Sequence, residues 1–357
     1  MTPIDKILVE TDESVSGTGG QSAGWWSDFT PRRWLSNGHL QTIAGNFLPR
    51  HLHLPEPEAQ IVEVEAATDS RQASHVLCHC HWQPEEVRHE RTTALLLHGL
   101  EGSSNSQYVR GNAARMWAAG WNVVRMNMRN CGDTDHLSPT LYHSGLSADL
   151  LAVIESLSLD RGASNWVAVG YSMGGNLVLK LAGDLGAYGP GILQAVVGVS
   201  PAMDLAASAD AMHLPANRVY EWKFLRALLA RYARKVALYP ELYASERVRG
   251  VHSLRKFDNE ITAFYSGFAS ADDYYFRASS TRVAGQIEIP TLVMHALDDP
   301  FIRMLAETRA TLLGNRHVRL IETTHGGHCA FLEPALASDG YWAERVLLGF
   351  LCEATGQ

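Results

Sequence analysis

The pentapeptide Gly170-Tyr171-Ser172-Met173-Gly174 constrains this chain more than any other stretch, because of its setting, NWVAVGYSMGGNLVLKLA. A short apolar run suited to a buried strand leads into a glycine and a serine, and two more glycines open a helical pattern. A strand can turn this sharply into a helix only where small residues flank the turn, since the two backbones approach closely. Such a turn lifts the Ser172 hydroxyl above the sheet and aims the helix N-terminus at negative charge forming beside it. The five letters alone are weak, with on the order of 0.1 chance matches in a chain of this size. The rest of the chain must supply the partners that a reactive serine needs.

Strand-like and helix-like segments alternate around this turn. TALLLHG (93–99), WNVVRMNMR (121–129), NWVAVG (165–170), LQAVVGVS (193–200), IPTLVMHAL (289–297) and HVRLIE (317–322) read as strands. Residues 107–119, 146–157, 173–185, 301–313 and 338–353 read as helices. Apolar strands separated by helices predict an α/β fold with a mostly parallel central sheet flanked by helices. QIVEVEA (60–66) and SHVLCHCHW (74–82) alternate in polarity and predict antiparallel strands at the start of the sheet. The rhythm breaks at 205–286, which predicts a helical cap inserted between two core strands. It would lie over the C-terminal edge of the sheet, where open α/β sheets bind ligands. The expected organisation is a flexible tail at 1–24, a core at 25–204 and 287–357, and the cap between. The aromatic segment from Trp25 predicts an irregular arm or short helix.

Composition bounds the function. Of 357 residues, 46% are hydrophobic and 19% charged, which suits a packed core. A net charge of −8 argues against nucleic acid as a partner. Five cysteines without a disulfide spacing, no leader-like N-terminus and no long apolar run predict a cytoplasmic protein with no integral membrane segment. Cys78-His79-Cys80-His81 resembles a metal cluster, but a strand sends the cysteines to one face and the histidines to the other. Neither metal nor organic cofactor is expected. The basic helix at 217–238 reads as a lid with solvated charges and leaves room for peripheral contact with anionic lipid.

A serine hydroxyl needs a base, and the base needs an orienting acid. Two later strands end in titratable residues, Asp298-Asp299-Pro300 and THGGHCAF. His328 is favoured as base over His325, because two glycines before it give reach toward Ser172. An unperturbed histidine base would titrate between about 6 and 7. Asp299 is favoured as the acid, with Asp298 the alternative or a brace of the turn. A tetrahedral intermediate needs two amide donors, for which Leu100 and Met173 are the candidates, with His98 supporting the Leu100 turn. His98, Tyr220, Trp222, Phe264, Phe268, Tyr274 and Tyr275 are candidate pocket residues.

These stretches carry a resemblance. NGHLQTI (37–43), HGLEGSSNSQYVRG (98–111), NMRNCG (127–132), YHSG (142–145), GYSMGGN (170–176), ITAFYSGFASADDYY (261–275), IPTLVMHALDDPF (289–301) and THGGHCAF (324–331) resemble the YheT-like branch of the α/β-hydrolase superfamily, family 4. The resemblance runs from about residue 30 to the C-terminus. It implies a Ser–Asp–His hydrolase of carboxylic esters, of short- to medium-chain acyl groups or lipids, working through an acyl-enzyme. It also implies, in some members, acyl transfer to an alcohol. A non-catalytic binding protein on the same fold is the remaining alternative. Dehalogenase and epoxide hydrolase versions place a carboxylate at the elbow, where this chain has Ser172. Substrate identity and oligomeric state are left open.

Overall fold

The computed structural model describes residues 7–9, 26–335 and 339–357. In chain order the strands are β1 (Ile7–Val9), β2 (Glu58–Glu65), β3 (Ser74–His81), β4 (Thr92–Leu97), β5 (Asn122–Met126), β6 (Ser164–Tyr171), β7 (Leu193–Val199), β8 (Thr291–Ala296) and β9 (Val318–Thr323). The helices are α1 (Gly38–Phe47), α2 (Glu85–Arg88), α3 (Gln107–Ala118), α4 (Ser147–Arg161), α5 (Met173–Leu185), α6 (Leu205–Met212), α7 (Arg218–Leu238), α8 (Leu254–Phe257), α9 (Ala271–Ala278), α10 (Ala306–Gly314) and α11 (Trp342–Thr355). The strands form one sheet in the order β1-β9-β8-β7-β6-β4-β5-β3-β2. Pairing is antiparallel at β2–β3 and β3–β5 and parallel elsewhere.

The alternation of side chains across a strand divides the core in two. Leu95 and Leu97 of β4 join one apolar cluster with α4 and α5, whereas Leu96 joins the other with α3 and α11. Both clusters are buried, which is why the central strands carry almost no polar residue on either face. Residues 205–286 fold as α6 to α9 with connecting turns. They have no separate core: Leu228, Tyr232, Ile261 and Tyr274 belong to the same cluster as Leu97 and Met126.

Several expectations are adjusted. The segment 1–24 lies outside the described residues except for Ile7–Val9, which pair in parallel with Leu320–Glu322 of β9 instead of trailing as a tail. Three consecutive apolar residues can extend a sheet edge. The helix expected at 301–313 starts at Ala306, because the amides of Phe301 and Ile302 are drawn to the Asp299 carboxylate at 3.0 and 2.9 Å. The helix expected from 338 starts at Trp342, and residues 336–338 lie outside the described residues. The arm from Trp25 resolves into α1, whose N-cap Asn37 accepts from the amides of His39 and Leu40 at 3.0 and 3.2 Å.

The loops above the C-terminal edge are locked by buried polar groups. Arg129, in the loop after β5, makes a bidentate pair with Asp149 of α4 at 2.7 and 2.6 Å and reaches Glu65 of β2 at 2.5 Å. Asn127 accepts from the Ser104 amide at 2.9 Å and donates to Leu77 O at 3.1 Å. Replacing Asp149 with alanine leaves Arg129 buried with one acidic partner. The expected loss in denaturant unfolding is about 3 kcal/mol. A loss below about 1 kcal/mol, the range of an exposed pair, would contradict this reading.

Candidate active site

Ser172 sits between β6 and α5 with φ 56° and ψ −116°, a backbone conformation that a serine adopts only when its surroundings enforce it. Here the enforcing bonds run from the Ser172 amide to Val199 O at 2.9 Å and from the Ala202 amide to Ser172 O at 3.1 Å. The turn is also packed too tightly for side chains beside it. A Cβ on Gly170 would lie 2.1 Å from Gly174 O, and one on Gly174 would lie 2.4 Å from His98 O.

His328 follows β9, and its Nδ1 lies 2.8 Å from Asp299 Oδ2. The other Asp299 oxygen accepts from the Phe301 and Ile302 amides, so the carboxylate is fully held. Asp298 faces elsewhere: its Oδ1 accepts from the Gly327 amide at 2.8 Å, and its Oδ2 lies 3.6 Å from His325 Nδ1. It ties down the loop that carries His328 and does not touch His328 itself in any recorded bond. Helix α1 completes this support. Thr42 Oγ1 accepts from the His328 amide at 2.8 Å and donates to Gly38 O at 2.7 Å. Gln41 brackets Leu332 through both its amide and its carbonyl, at 2.9 and 3.2 Å. No sequence reasoning assigned Thr42 or Gln41 a role. The only available signal was their place in the NGHLQTI stretch.

Leu100 lines the same cavities as Ser172, and Met173 follows Ser172 directly in the chain. Met173 opens α5, where the first amides have no intrahelical acceptor. In the turn after β4, the Gly99 amide donates to Tyr108 Oη at 2.9 Å and the Glu101 amide to Tyr142 Oη at 3.3 Å. Among the described residues the Leu100 amide between them has no recorded acceptor. His98 is a strut beneath this turn. Its Nε2 receives the Met128 amide at 3.2 Å, so the proton is on Nδ1, which donates to Gly99 O at 2.7 Å. Burial drives its pKa down to about 4, which keeps the ring neutral.

Two cavities meet at Ser172 and share Leu100, Phe224 and Phe301. The first has about 140 Å³ open to the centre of a water molecule and runs beneath the 205–286 helices. Leu205, Met212, Leu228, Phe257, Tyr274 and Tyr275 make it mainly apolar. The second, about 800 Å³ by the same measure, is a wider groove between α1 and α7, reaching His328, Cys329 and Tyr220. Of the expected pocket residues, Tyr220, Tyr274 and Tyr275 line these spaces. His98 does not, being fully buried below the turn. Trp222 and Phe264 do not either, since they point to solvent, and Phe268 packs on His143 and Tyr274 instead. Helical spacing alone could not say which face of α7 turns inward.

One ion pair links the upper helices to the site. Arg231 of α7 is buried and bonds both oxygens of Glu101 at 2.9 and 3.1 Å, while Tyr142 Oη donates to Glu101 Oε1 at 2.7 Å. The residue after Leu100 is thus clamped from above. Cys329, which follows His328, is half-buried. Its Sγ lies 3.5 Å from His328 Nε2.

Burial opposes ionisation of Asp299, but His328, then His295 and the Ile302 amide, hold its carboxyl below the usual range. Burial likewise opposes protonation of His328, but the neighbouring Cys329 sulfur and the Asp299 carboxylate outweigh it and push its pKa above that of a free imidazole. This shifts the expectation of an unperturbed histidine upward. Among the described residues no His/Cys/Asp/Glu group is arranged to hold a metal. In β3, Cys78 and Cys80 enter the apolar core while His79 bonds Ser104 Oγ at 2.7 Å.

The chain matches the α/β hydrolase fold family over residues 94–335. It is similar to YheT of Escherichia coli (strain K12), named as a presumptive esterase, with 32% identity over 327 residues, 89% of this chain and 91% of that protein. It is also similar to the phospholipase ABHD3 of Mus musculus, with 32% identity over 263 residues, 73% of this chain and 63% of that one. Among solved structures it resembles Est1E from Butyrivibrio proteoclasticus, with TM-score 0.51 and 13% identity over 84% of this chain and 99% of that one. The Pyrococcus furiosus esterase Pf2001 gives TM-score 0.51 and 15% identity over 87% and 97%. At these identities the structural likeness establishes the fold.

The Cys329 sulfur and Asp299 act on His328 in the same direction. Heteronuclear NMR of the imidazole should show His328 titrating above 6.5, and Cys329→Ala should move the midpoint down. A wild-type midpoint at or below 6.5 would contradict this account.

Proposed function

The chain belongs to the α/β-hydrolase fold family, in its YheT-like branch, and from that premise we propose that it is a serine hydrolase of carboxylic esters. The observation that carries this reading is the Asp299–His328 pair at 2.8 Å, with His328 and Ser172 lining one groove. Ser172 is the nucleophile, His328 the base and Asp299 the orienting acid. Substrate contact brings His328 Nε2 from its position near Cys329 onto Ser172 Oγ, since such hydrogen bonds tighten when the site fills.

His328 takes the Ser172 proton as Oγ attacks the ester carbonyl. The Leu100 and Met173 amides receive the oxyanion. Protonated His328 then donates to the departing alcohol oxygen as the C–O bond breaks, leaving an acyl group on Ser172. Water, deprotonated by His328, attacks the acyl carbonyl, and the acyl C–Oγ bond then breaks as His328 returns the proton to Ser172 Oγ, which frees the acid.

In this reading the two halves of the substrate take one cavity each. The acyl chain lies in the apolar cavity under α6 and α7, and the alcohol occupies the groove between α1 and α7. A narrow apolar cavity suits a short- to medium-chain acyl group or one chain of a lipid ester. The breadth of the groove favours a second reading, in which an alcohol replaces water as acyl acceptor. Residues 205–286 form the cap that shapes the acyl cavity. Among the described residues no helix is long and apolar enough to cross a membrane.

Ser172→Ala should abolish turnover of short and medium p-nitrophenyl esters and labelling by a fluorophosphonate probe. Undiminished turnover would overturn the assignment. Thr42→Val removes the oxygen that holds the His328 amide. It should lower kcat by about tenfold or more, with KM little changed, because misplacing a reacting group costs rate before it costs binding. An unchanged kcat would remove α1 from the mechanism.

A further inference from the structure

The groove that reaches Ser172 opens between two helix faces that carry large apolar side chains into solvent. On α1, Leu40, Ile43 and Phe47 stand at i, i+3 and i+7 and are all exposed, Phe47 by 72%. On the first turns of α7, Val219 and Trp222 are 74% and 61% exposed. Ile43, Phe47 and Val219 also line the groove, so this apolar rim is continuous with the path to the serine. The two helices are tied across the mouth: the His39 and Tyr220 rings stack at 5.7 Å, and His39 Nδ1 lies 3.2 Å from Tyr220 Oη. Clustered apolar exposure of this kind is uncommon away from a contact surface.

The exposed charges on the first half of α7, beside this rim, are all positive. Arg218, Lys223 and Arg226 are exposed, with Arg226 packed over Trp222 at 5.5 Å. Helix α1 contains no acidic residue. The one acid in the first half of α7, Glu221, is buried, accepts from the Leu254 amide at 3.1 Å and faces His213 Nδ1 at 2.9 Å. The cations further along α7 are engaged elsewhere. Arg231 pairs with Glu101, Arg234 pairs with Asp135, and Lys235 bonds the carbonyls of Asp135 and Ser138. The free positive charge of α7 is thus concentrated beside the apolar rim, in a chain whose net charge is −8.

We propose that this rim is an interfacial surface that seats on an anionic phospholipid bilayer, with Leu40, Phe47 and Trp222 entering the headgroup layer and Arg218, Lys223 and Arg226 meeting lipid phosphates. Apolar residues supply burial, and flanking cations supply the attraction that a net-negative protein otherwise lacks. Seating there places the groove mouth against the lipid, so an ester can pass from the bilayer to Ser172 without crossing water. The passage rests on the ester hydrolase reading; the docking does not.

The test uses the full chain and sedimentation with vesicles of phosphatidylcholine alone or with one third phosphatidylglycerol, at low and moderate salt. The protein should pellet with the anionic vesicles, and binding should weaken as salt rises. The variants Leu40→Ser/Trp222→Ser and Arg218→Glu/Arg226→Glu should each lower vesicle affinity about tenfold or more. Turnover of a soluble short-chain ester should stay unchanged in both, since none of these four side chains lines either cavity. Wild-type protein left in the supernatant, or variants that pellet like wild type, would overturn the proposal. So would dimerisation abolished by the same variants without vesicle binding, which would make a second copy the occupant. Vesicle binding with no turnover of any ester would remove the hydrolase reading and leave the docking surface standing.

Discussion

The close approach of β6 to α5 is the constraint on which the rest of the molecule depends. With Gly174 O near Gly170 and His98 O near Gly174, the backbone is packed to the limit that two hydrogens in place of side chains allow. Holding Ser172 at φ 56° costs on the order of 1–3 kcal/mol. That cost is offset by bonds on both sides of the turn, from the Ser172 amide to Val199 O and from the Ala202 amide to Ser172 O. The strands that supply them, β7 and its neighbours, must be in register before the elbow can form. Strain at the serine and order in the sheet are therefore one property.

The surrounding loops brace one another through buried, hydrogen-bonded side chains. Asn176, one turn into α5, donates to Ser144 O and Ala278 O, both at 2.9 Å, and accepts from the Ser280 amide at 2.8 Å. One side chain thereby joins the elbow helix, the loop after β5 and the end of the 205–286 insertion. Asn127 and His98 do the same for the Leu100 turn, and Thr42 for the His328 loop. Each short motif of the sequence is one half of such a contact. An unsatisfied partner in this interior would cost more than the bond itself contributes, so the contacts are specific.

The alternation of apolar strands and helices was readable because parallel strands buried on both faces have to be apolar throughout. Ser172, Asp299 and His328 could be placed at one edge of the sheet because each ends a strand, and strand ends in a parallel sheet converge. In the sequence Asp299 is favoured over Asp298 only by its place in the turn, whereas the physical difference is which carboxylate meets the amides of residues 301 and 302. The pocket walls were read poorly for a related reason. Trp222 and Phe264 are large and aromatic, but the sides of α7 and of its neighbours that face the cavity are set by packing against the sheet. Leu205, Met212 and Phe224 form the wall instead. Helix α1 had a recognisable sequence and no local feature that announced its contact with His328, nearly three hundred residues away.

The clamp between Arg231 and Glu101 has a consequence for traffic through the site. A buried bidentate pair ties α7 to the Leu100 turn, so swinging α7 away would strand two charges and release the amide beside Ser172 at the same moment. The roof is in effect a fixed ceiling, and the groove between α1 and α7 is the side door. Under the proposed mechanism that door would empty and refill while an acyl group stays on Ser172. The fate of the intermediate would then be a race between occupants of the vestibule. Whichever hydroxyl stood there most often, from water or from an alcohol, would take the acyl group, and solution composition would set the product ratio.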